Sequence, residues 1–348
     1  MNFKNIKKPF FIAEISANHG GSLARAKKLI YDAKKYGADA VKFQTYSPES
    51  MTLDSKNKDF KIKTGLWKGY TLWDLYFKAQ TPFEWHKDLF NYAKKIGIIC
   101  FSTPFDTAGL DLLESLDCPF YKVASFELIH TPLIKRIAKT KKPIIMSTGA
   151  ATMNEIELAY NVAKTNGAKE VILLYCVTNY PSKLEDFNLN NIKILKKKFK
   201  CTVGFSDHST DNCVAMASVV AGAEVIEKHI ALPGDKKGFD IAFSLKGNEI
   251  KKYIKDLNKS FLVMGKKYFF ISKSEYKNRL SRRSIYACKN IQRGEKFSDK
   301  NIKIIRPGYG IAPVYFDKII NKKSPYPIKS NLPLKKDLLK KLRLIKKY

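Results

Sequence analysis

The sequence has few cysteines and no paired cysteine motif. Its six cysteines are scattered through 348 residues without a C-x-x-C pair, which is typical of reduced thiols rather than of a disulfide framework or a zinc site. The longest apolar stretch, residues 213–226, is shorter than the roughly 20 residues of a membrane span and contains Glu224. The N-terminus lacks an apolar run that ends in a small-residue cleavage site. We therefore expect a cytoplasmic protein without a membrane segment.

Acidic residues are scarce relative to basic ones. The chain has 32 Asp and Glu against 64 Lys and Arg, a net charge of +32, and this excess raises the alternative of an RNA-binding protein. However, the lysines occur as KK pairs on amphipathic segments, and the chain has no zinc-finger spacing, RNP-like aromatic motif or basic region with heptads. We therefore expect no nucleic-acid partner and interpret the charge as solvated faces or as attraction for an anionic substrate.

A short apolar run followed by a helical stretch repeats from residue 9 to about residue 240. Eight of these runs have the character of strands, and the segments between them have the helical period. The candidate strands are residues 10–13, 40–43, 98–101, 120–124, 143–146, 171–176, 202–205 and 223–226. Such alternation requires a parallel sheet, and eight units over about 250 residues predict an α/β fold, the closed (β/α)8 TIM barrel.

Two segments depart from the repeat. Residues 45–82 form a long insertion after the second candidate strand that contains Trp67 and Trp73, and we interpret it as a lid or sugar-binding wall. Beyond residue 282 the pattern changes to short strands, with turns at QRGE and RPGYG and a Lys-rich final helix. We predict a catalytic barrel domain over residues 1–280 and a small second domain over residues 283–345.

Polar side chains occur at the C-terminal end of every candidate strand. In a (β/α)8 barrel these ends meet on the face that carries active sites, so the pattern predicts an enzyme. The candidate residues at these ends include Glu14, Lys42, Gln44, Thr103, Lys122, Ser125, Glu127, Ser147, Thr178, Tyr180, Ser206, His208 and His229.

His208 and His229 end successive candidate strands. Neutral imidazoles on neighbouring strands can both point at one cation, and imidazole with carboxylate or water suits Mn, Co or Zn. Two hydrogen-bonded structural histidines are the alternative interpretation.

Lys42 and Lys122 are flanked by apolar residues, and a buried ammonium group needs an anion. That anion is either a carboxylate of the chain, with Glu14 and Glu127 as the candidates, or a phosphate or carboxylate of a substrate. The many small hydroxyl side chains at neighbouring strand ends favour phosphate.

Eight motifs in order make the chain recognisable. They are FIAEISANHGGS, AVKFQTYSPESMT, FSTPFD, YKVASFE, PIIMSTG, GFSDHS, EKHIAL and RPGYG. Together they resemble the sialic acid synthase family over nearly the whole chain, including its C-terminal antifreeze-like (SAF) domain. ISANH, LWDLY and TPFEWH are most similar to the pseudaminic acid synthase branch.

This resemblance implies a transferase that condenses phosphoenolpyruvate with the open-chain form of an acetamido sugar, 2,4-diacetamido-2,4,6-trideoxy-β-L-altropyranose, and releases phosphate by C–O cleavage. It also implies a divalent metal (Mn, Mg or Co) and a homodimer in which each SAF domain contributes to the partner's active site. An N-acetylneuraminate or legionaminic acid synthase is the alternative within the family. A metal-dependent aldolase that uses pyruvate is the alternative outside it.

The resemblance further implies a role for each candidate residue. In catalysis, Glu127 would orient the attacking water, Lys122 would stabilise the departing phosphate, and Glu14 would face the sugar. His208 and His229 would bind the metal. The substrate-binding residues would be Lys42, Gln44, Thr103, Ser125, Ser147, Thr178, Tyr180, Ser206, Asp240 and, reaching the neighbouring subunit, Arg306.

Overall fold

Eight parallel strands close into a barrel in a computed structural model of the chain, which describes residues 3, 6–236, 238–265 and 268–345. The strands are β1 Phe10–Glu14, β2 Ala40–Thr45, β3 Ile99–Pro104, β4 Tyr121–Val123, β5 Ile144–Ser147, β6 Val171–Cys176, β7 Val203–Asp207 and β8 Val225–Ala231. Each strand pairs with the next one along the chain, and β1 also pairs with β8. The predicted (β/α)8 TIM barrel is confirmed.

Helices follow the strands. They are α1 Leu23–Tyr36, α2 Pro48–Met51, α3 Leu72–Ala79, α4 His86–Ile96, α5 Thr107–Ser115, α6 Thr131–Lys139, α7 Met153–Thr165, α8 Asn190–Phe199, α9 Asn212–Ala221 and α10 Asn248–Met264. In α1, Leu29 and Ile30 are buried whereas Lys34 and Lys35 are exposed, as expected for an amphipathic helix that covers a sheet. None of the helices in the described ranges is long and apolar enough to cross a membrane.

The eighth strand begins and ends later than the sequence pattern predicts. It covers Val225–Ala231 instead of residues 223–226, and all seven of its residues are buried. The five residues of β1 pair with Val225–His229, and this pairing extends the strand through Glu227, Lys228 and His229. These three side chains therefore lie within β8, where alternate residues face opposite sides of the sheet. A two-residue strand, β9 Leu245–Lys246, pairs with the end of β8.

A second compact unit, Lys266–Tyr348, follows the barrel unit Met1–Gly265; the sequence pattern places this boundary later, between residues 280 and 283. Its elements are α11 Lys273–Lys277, β10 Ser284–Ala287, β11 Ile302–Ile305, α12 Phe316–Ile319 and α13 Lys336–Lys341. The strands β10 and β11 are antiparallel. The unit has its own apolar core, which includes Ile285, Phe297, Ile302 and Leu338.

Gly204 in β7 has no room for a side chain, because a Cβ atom there would overlap the carbonyl oxygen of Val225 and the side chain of Leu174. That carbonyl belongs to the neighbouring strand. We therefore expect Gly204→Ala to lower the free energy of unfolding, measured by denaturant titration, by about 3 kcal/mol. Ile226→Val, which deletes one buried methyl group nearby, should cost about 1 kcal/mol. Equal losses for the two variants would contradict the close approach of the strands.

Candidate active site

The polar residues predicted from the strand ends meet at the C-terminal end of the barrel. In the register of the sheet, Glu14 lies beside Lys42 on one side and His229 on the other. The buried candidates are Glu14, Lys42, Thr103, Lys122, Ser147, Ser206, His208, His229 and Asp240. The half-buried candidates are Gln44, Ser125, Glu127, Thr178 and Tyr180.

Lys42 is held by carboxylates of the chain. Its Nζ lies 2.5 Å from Oε2 of Glu14 and 3.8 Å from Oε2 of Glu227, and it donates a hydrogen bond to Oγ1 of Thr103 at 3.3 Å. Gln44 donates from Nε2 to Oε1 of Glu14 at 3.1 Å. Of the two anions considered for Lys42, a carboxylate of the chain or an anionic group of a substrate, the structure shows the first, and the carboxylate is that of Glu14.

Glu227 belongs to this cluster; the sequence pattern places it at the end of the eighth strand but gives it no role. Its Oε1 accepts a hydrogen bond from Oγ of Ser206 at 3.0 Å. Burial by itself would raise the pKa of Glu227, but the charges of Lys42 and Lys122 lower it. Its partners come from other strands, so no local motif reveals the pairing. The available signal is the polar sequence EKH beside a predicted strand end.

The two carboxyl groups of the cluster titrate differently. Burial raises the pKa of Glu14 to about 7; the charge of Lys42 opposes the rise and that of Glu227 adds to it. Interacting groups of this kind release their protons in separate steps. Near neutral pH the cluster therefore contains one carboxylate that stays charged and one carboxyl group that can exchange a proton.

Lys122 makes no ion pair among the described residues. Its Nζ donates to Oγ of Ser147 at 2.6 Å and to the carbonyl oxygen of Val123 at 2.9 Å, and burial lowers its pKa. The candidate partner Glu127 lies on the turn after β4, and its buried Oε2 has no hydrogen-bond partner in the described part of the chain. Among the described residues, the hydrogen bonds of Lys122 therefore go to neutral oxygen acceptors, and the charge of Glu227 acts on it only from a longer distance.

Small polar groups surround the approach to Lys122. Oγ of Ser125 accepts a hydrogen bond from the backbone N–H of Gly149 at 3.2 Å and lies 3.2 Å from Sγ of Cys176. A Cβ atom on Gly149 would overlap the side chain of Thr178, so this loop packs closely only with glycine at that position. Hydroxyl groups beside a buried lysine make a suitable environment for an anionic oxygen.

His208 and His229 face each other, with ring centroids 5.7 Å apart. Nδ1 of His208 lies 2.9 Å from the carbonyl oxygen of Val177. Because a carbonyl oxygen can only accept, the neutral ring carries its proton on Nδ1 and its free lone pair on Nε2. Nδ1 of His229 is buried without a hydrogen-bond partner among the described residues, and Oδ2 of Asp240 lies 3.7 Å away. Burial lowers the pKa of both histidines, so both rings are neutral near pH 7.

The donor set fits a divalent cation. Neutral imidazoles are metal ligands, and a buried ring nitrogen without a hydrogen-bond partner is compatible with this role. In the described ranges no group of three or more His, Cys, Asp and Glu side chains forms a metal cluster. His208 and His229 would therefore share the cation with water or substrate oxygens. Asp240 lies beside them. Burial raises its pKa, although hydrogen bonds from Ser16 and Ala17 oppose the rise.

The long insertion after β2 reaches the histidines through aromatic side chains. Nε1 of Trp67 donates to the carbonyl oxygen of Phe239 at 3.0 Å, and the Trp67 ring lies 5.6 Å from that of Tyr180. Tyr180 in turn lies 4.5 Å from His208, measured between ring centroids. The insertion therefore lines the same region as the charged cluster, where a lid or sugar-binding wall is predicted.

Arg306 belongs to the second unit, and its side chain is exposed on the RPGYG turn after β11. Its role toward the active site of a partner subunit stays a prediction.

Comparison with known proteins identifies the family. The model of the NeuB family matches residues 29–268 and that of the SAF domain matches residues 282–340. The chain belongs to the NeuB family. The resemblance seen in the sequence motifs is thereby confirmed, as is the predicted SAF domain.

Relatives in the NeuB family are similar over nearly their full length. The chain is 42% identical over 334 residues to the pseudaminic acid synthase of Campylobacter jejuni, covering 96% of this chain and 97% of the relative. It is 40% identical over 333 residues to the pseudaminic acid synthase of Helicobacter pylori, covering 95% and 98%. A solved N-acetylneuraminic acid synthetase from Leptospira borgpetersenii is 30% identical with a TM-score of 0.71, covering 79% of this chain and 91% of that chain.

Glu14→Gln should change how stability depends on pH. A carboxyl group whose pKa rises on folding holds its proton more tightly in the folded state, so stability is lost as the pH rises from 4.5 through about 7. The glutamine variant lacks this titration. Between about pH 5 and pH 8 we expect its free energy of unfolding to increase relative to wild type, by up to about 3 kcal/mol, in denaturant titrations.

Glu157→Gln is the matched control, because Glu157 lies on the surface of α7 and pairs with Lys198 at 2.7 Å. Its pH profile should run parallel to that of the wild type. A difference between Glu14→Gln and wild type that is the same at every pH would contradict the raised pKa of Glu14.

Proposed function

We propose that this NeuB-family protein is a pseudaminic acid synthase. It condenses phosphoenolpyruvate with the open-chain form of 2,4-diacetamido-2,4,6-trideoxy-β-L-altropyranose to give pseudaminic acid and phosphate. The observation that supports it is the buried cluster of lysines, carboxylates and hydroxyl groups beside two neutral histidines at the C-terminal end of the barrel. The 42% identity to a pseudaminic acid synthase supports this sugar rather than another of the family.

Phosphoenolpyruvate binds through its anionic groups. Lys122, which makes no ion pair among the described residues, takes the phosphate together with the hydroxyls of Ser125 and Ser147. Lys42, Thr103 and Ser206 line the remaining part of this anion site. The charge of Lys42 is balanced within the chain by Glu227, whose pKa is lowered, and by Glu14 whenever Glu14 is ionised. Lys122 is therefore the cation that the substrate neutralises.

The carbon–carbon bond forms when C3 of phosphoenolpyruvate attacks the aldehyde carbon of the sugar, which leaves a cationic centre at C2. Gln44, Tyr180 and Asp240 orient the sugar, and holding both substrates together removes much of the entropic barrier. His208 and His229 would hold a divalent metal (Mn, Mg or Co), which would supply Lewis acidity for the aldehyde. Glu14, with a pKa of about 7, can give the aldehyde oxygen its proton.

Phosphate leaves after water adds to C2. Glu127 accepts the proton of this water, because burial raises its pKa and its Oε2 has no hydrogen-bond partner among the described residues. The bond between C2 and the phosphate oxygen then breaks, and its electron pair stays with the phosphate. The new hydroxyl group on C2 gives its proton to that phosphate oxygen, and C2 becomes the carbonyl carbon of the product. Lys122 stabilises the negative charge on the departing phosphate.

The cytoplasm is the compartment that fits this function. All six cysteines are free thiols, as is usual in reducing compartments, and phosphoenolpyruvate is an intracellular metabolite.

The first test is phosphate release from phosphoenolpyruvate with Mn²⁺ and each of three sugars: the diacetamido-trideoxy-altrose, N-acetylmannosamine and the legionaminic acid precursor. We expect release only with the first sugar, because the matching relatives of highest identity are pseudaminic acid synthases. We expect a chelator to abolish release, because a metal held by only two histidines is easily removed.

Release with a different sugar would contradict the assigned substrate and keep the chemistry. Product formation from pyruvate, without phosphate release, would instead indicate the aldolase. His208→Ala tests the metal site, and we expect it to abolish metal-dependent activity. Unchanged activity in that variant would contradict the assignment of the histidines.

We further propose a homodimer in which Arg306 contacts the sugar in the partner's active site. Arg306→Ala should raise the KM for the sugar much more than that for phosphoenolpyruvate, because we assign its guanidinium group to the acetamido oxygen of the sugar and not to the phosphate. Steady-state kinetics measures this difference. Arg293→Ala, which changes another exposed arginine of the second unit, should leave both KM values unchanged.

Mixed dimers test whether the arginine acts across subunits. A dimer of one Arg306→Ala chain and one His208→Ala chain contains one intact active site if Arg306 acts in the partner, and none if it acts within its own chain. We therefore expect mixing and reassembly of the two variants to restore activity. No recovery in a verified mixed dimer would contradict the exchange of domains, as would an active monomer in light scattering.

A further inference from the structure

Asp207, Lys228 and Tyr253 form a buried polar cluster behind the two histidines. Oδ2 of Asp207 accepts a hydrogen bond from the hydroxyl of Tyr253 at 2.7 Å and lies 3.1 Å from Nζ of Lys228. Asp207 and Tyr253 are each 1% exposed, and Lys228 is 3% exposed. None of them belongs to the substrate or metal residues described above. A charged pair buried this deeply needs a reason, because its desolvation is costly.

The cluster is adjacent in sequence to both candidate metal ligands. Asp207 immediately precedes His208, and Lys228 immediately precedes His229. Asp207 and Lys228 are also direct partners in the register of β7 and β8. The carboxylate of Asp207 contacts Tyr253 on α10, whereas the ring of His208, the next residue, contacts that of His229. The ion pair therefore fixes both strands at the point where the histidines project.

The backbone on the far side of His208 is held by the same groups. Oδ1 of Asp207 accepts a hydrogen bond from the backbone N–H of Ser209 at 2.8 Å. Nζ of Lys228 donates to the carbonyl oxygen of Ser209. The residues before and after His208 are thus tied to each other and to β8. A change in any of these bonds would alter where the His208 ring points relative to His229.

We propose that Asp207, Lys228 and Tyr253 are positioning residues that set the separation and orientation of His208 and His229 for a shared divalent cation. This inference rests on the part of the proposed function that assigns the two histidines to the metal. Groups that orient metal-binding histidines from behind commonly change metal affinity about 10-fold to 100-fold when they are removed. A purely structural role, joining α10 to the barrel, would change stability and leave metal affinity alone.

The experiment measures Mn²⁺ binding to the full-length chain after treatment with EDTA, by isothermal titration calorimetry, together with the unfolding temperature of the metal-free protein. Tyr253→Phe removes one hydrogen bond and keeps the ring, and Lys228→Met removes the charge and keeps the length of the side chain. We expect the dissociation constant for Mn²⁺ to rise by about tenfold in Tyr253→Phe and by more in Lys228→Met.

Two controls separate positioning from stability. Tyr160→Phe also removes a tyrosine hydroxyl, one that donates to the carbonyl oxygen of Phe199 at 3.3 Å and has no connection to the histidines, so Mn²⁺ affinity should not change. Leu257→Ala deletes an apolar side chain that is 1% exposed on α10, the helix of Tyr253. It should lower the unfolding temperature and keep the affinity of the wild type.

The proposal is overturned if Tyr253→Phe and Lys228→Met bind Mn²⁺ as tightly as the wild type while their unfolding temperatures fall as in Leu257→Ala. It is also overturned if the wild type binds no Mn²⁺, or binds it equally well after His208→Ala. Failure of the proposed function gives a different result: a wild type that binds Mn²⁺ through these histidines but releases no phosphate from phosphoenolpyruvate. In that case the affinities of the variants still decide the positioning role.

Discussion

Opposite charges buried together at one end of the barrel are the constraint on which the rest of this structure depends. A charge removed from water is tolerated only where an opposite charge or hydrogen bonds replace its hydration. Glu14 and Glu227 do this for Lys42, with which they form ion pairs. Because these three residues come from β1, β8 and β2, the ion pairs exist only when β1 pairs with both neighbours and the sheet is closed. The same closure that forms the fold therefore assembles the site.

Side chains on the two sides of the strands have different roles: those on one side line the site, and those on the other side support it. The residues that face the cluster are Ser206 on β7, His208 just after it, and Glu227 and His229 on β8. The residues between them, Asp207 and Lys228, form an ion pair on the other side. The strand period of two permits this division within seven or fewer residues. A barrel suits such a site because its outer layer of helices supplies partners, such as Tyr253, without occupying the space that substrates need.

Unequal environments give similar side chains different tasks. Lys42 is paired with carboxylates, whereas in the described part of the chain Lys122 donates hydrogen bonds only to neutral oxygens, so the second lysine is the better suited of the two to bind an external anion. Glu14 has a pKa near 7 while that of Glu227 is lowered, so one carboxyl group exchanges a proton and the other keeps its charge. Pairs of titratable groups whose pKa values are pushed apart are a common basis for acid–base chemistry in enzymes.

The barrel, the second domain, the family and most of the polar strand ends could be predicted from the sequence, because periodicity and motifs are local properties of the chain. Which charges pair follows from the tertiary structure. The sequence left two carboxylates as partners for Lys42 and Lys122, and the structure pairs Glu14 with Lys42 and shows no carboxylate paired with Lys122 among the described residues. The ion pairs of Glu227 with Lys42 and of Asp207 with Lys228 escaped prediction for the same reason. The pairing of β8 with β1 sets the end of that strand, and such contacts depend on strand register between residues far apart in the chain.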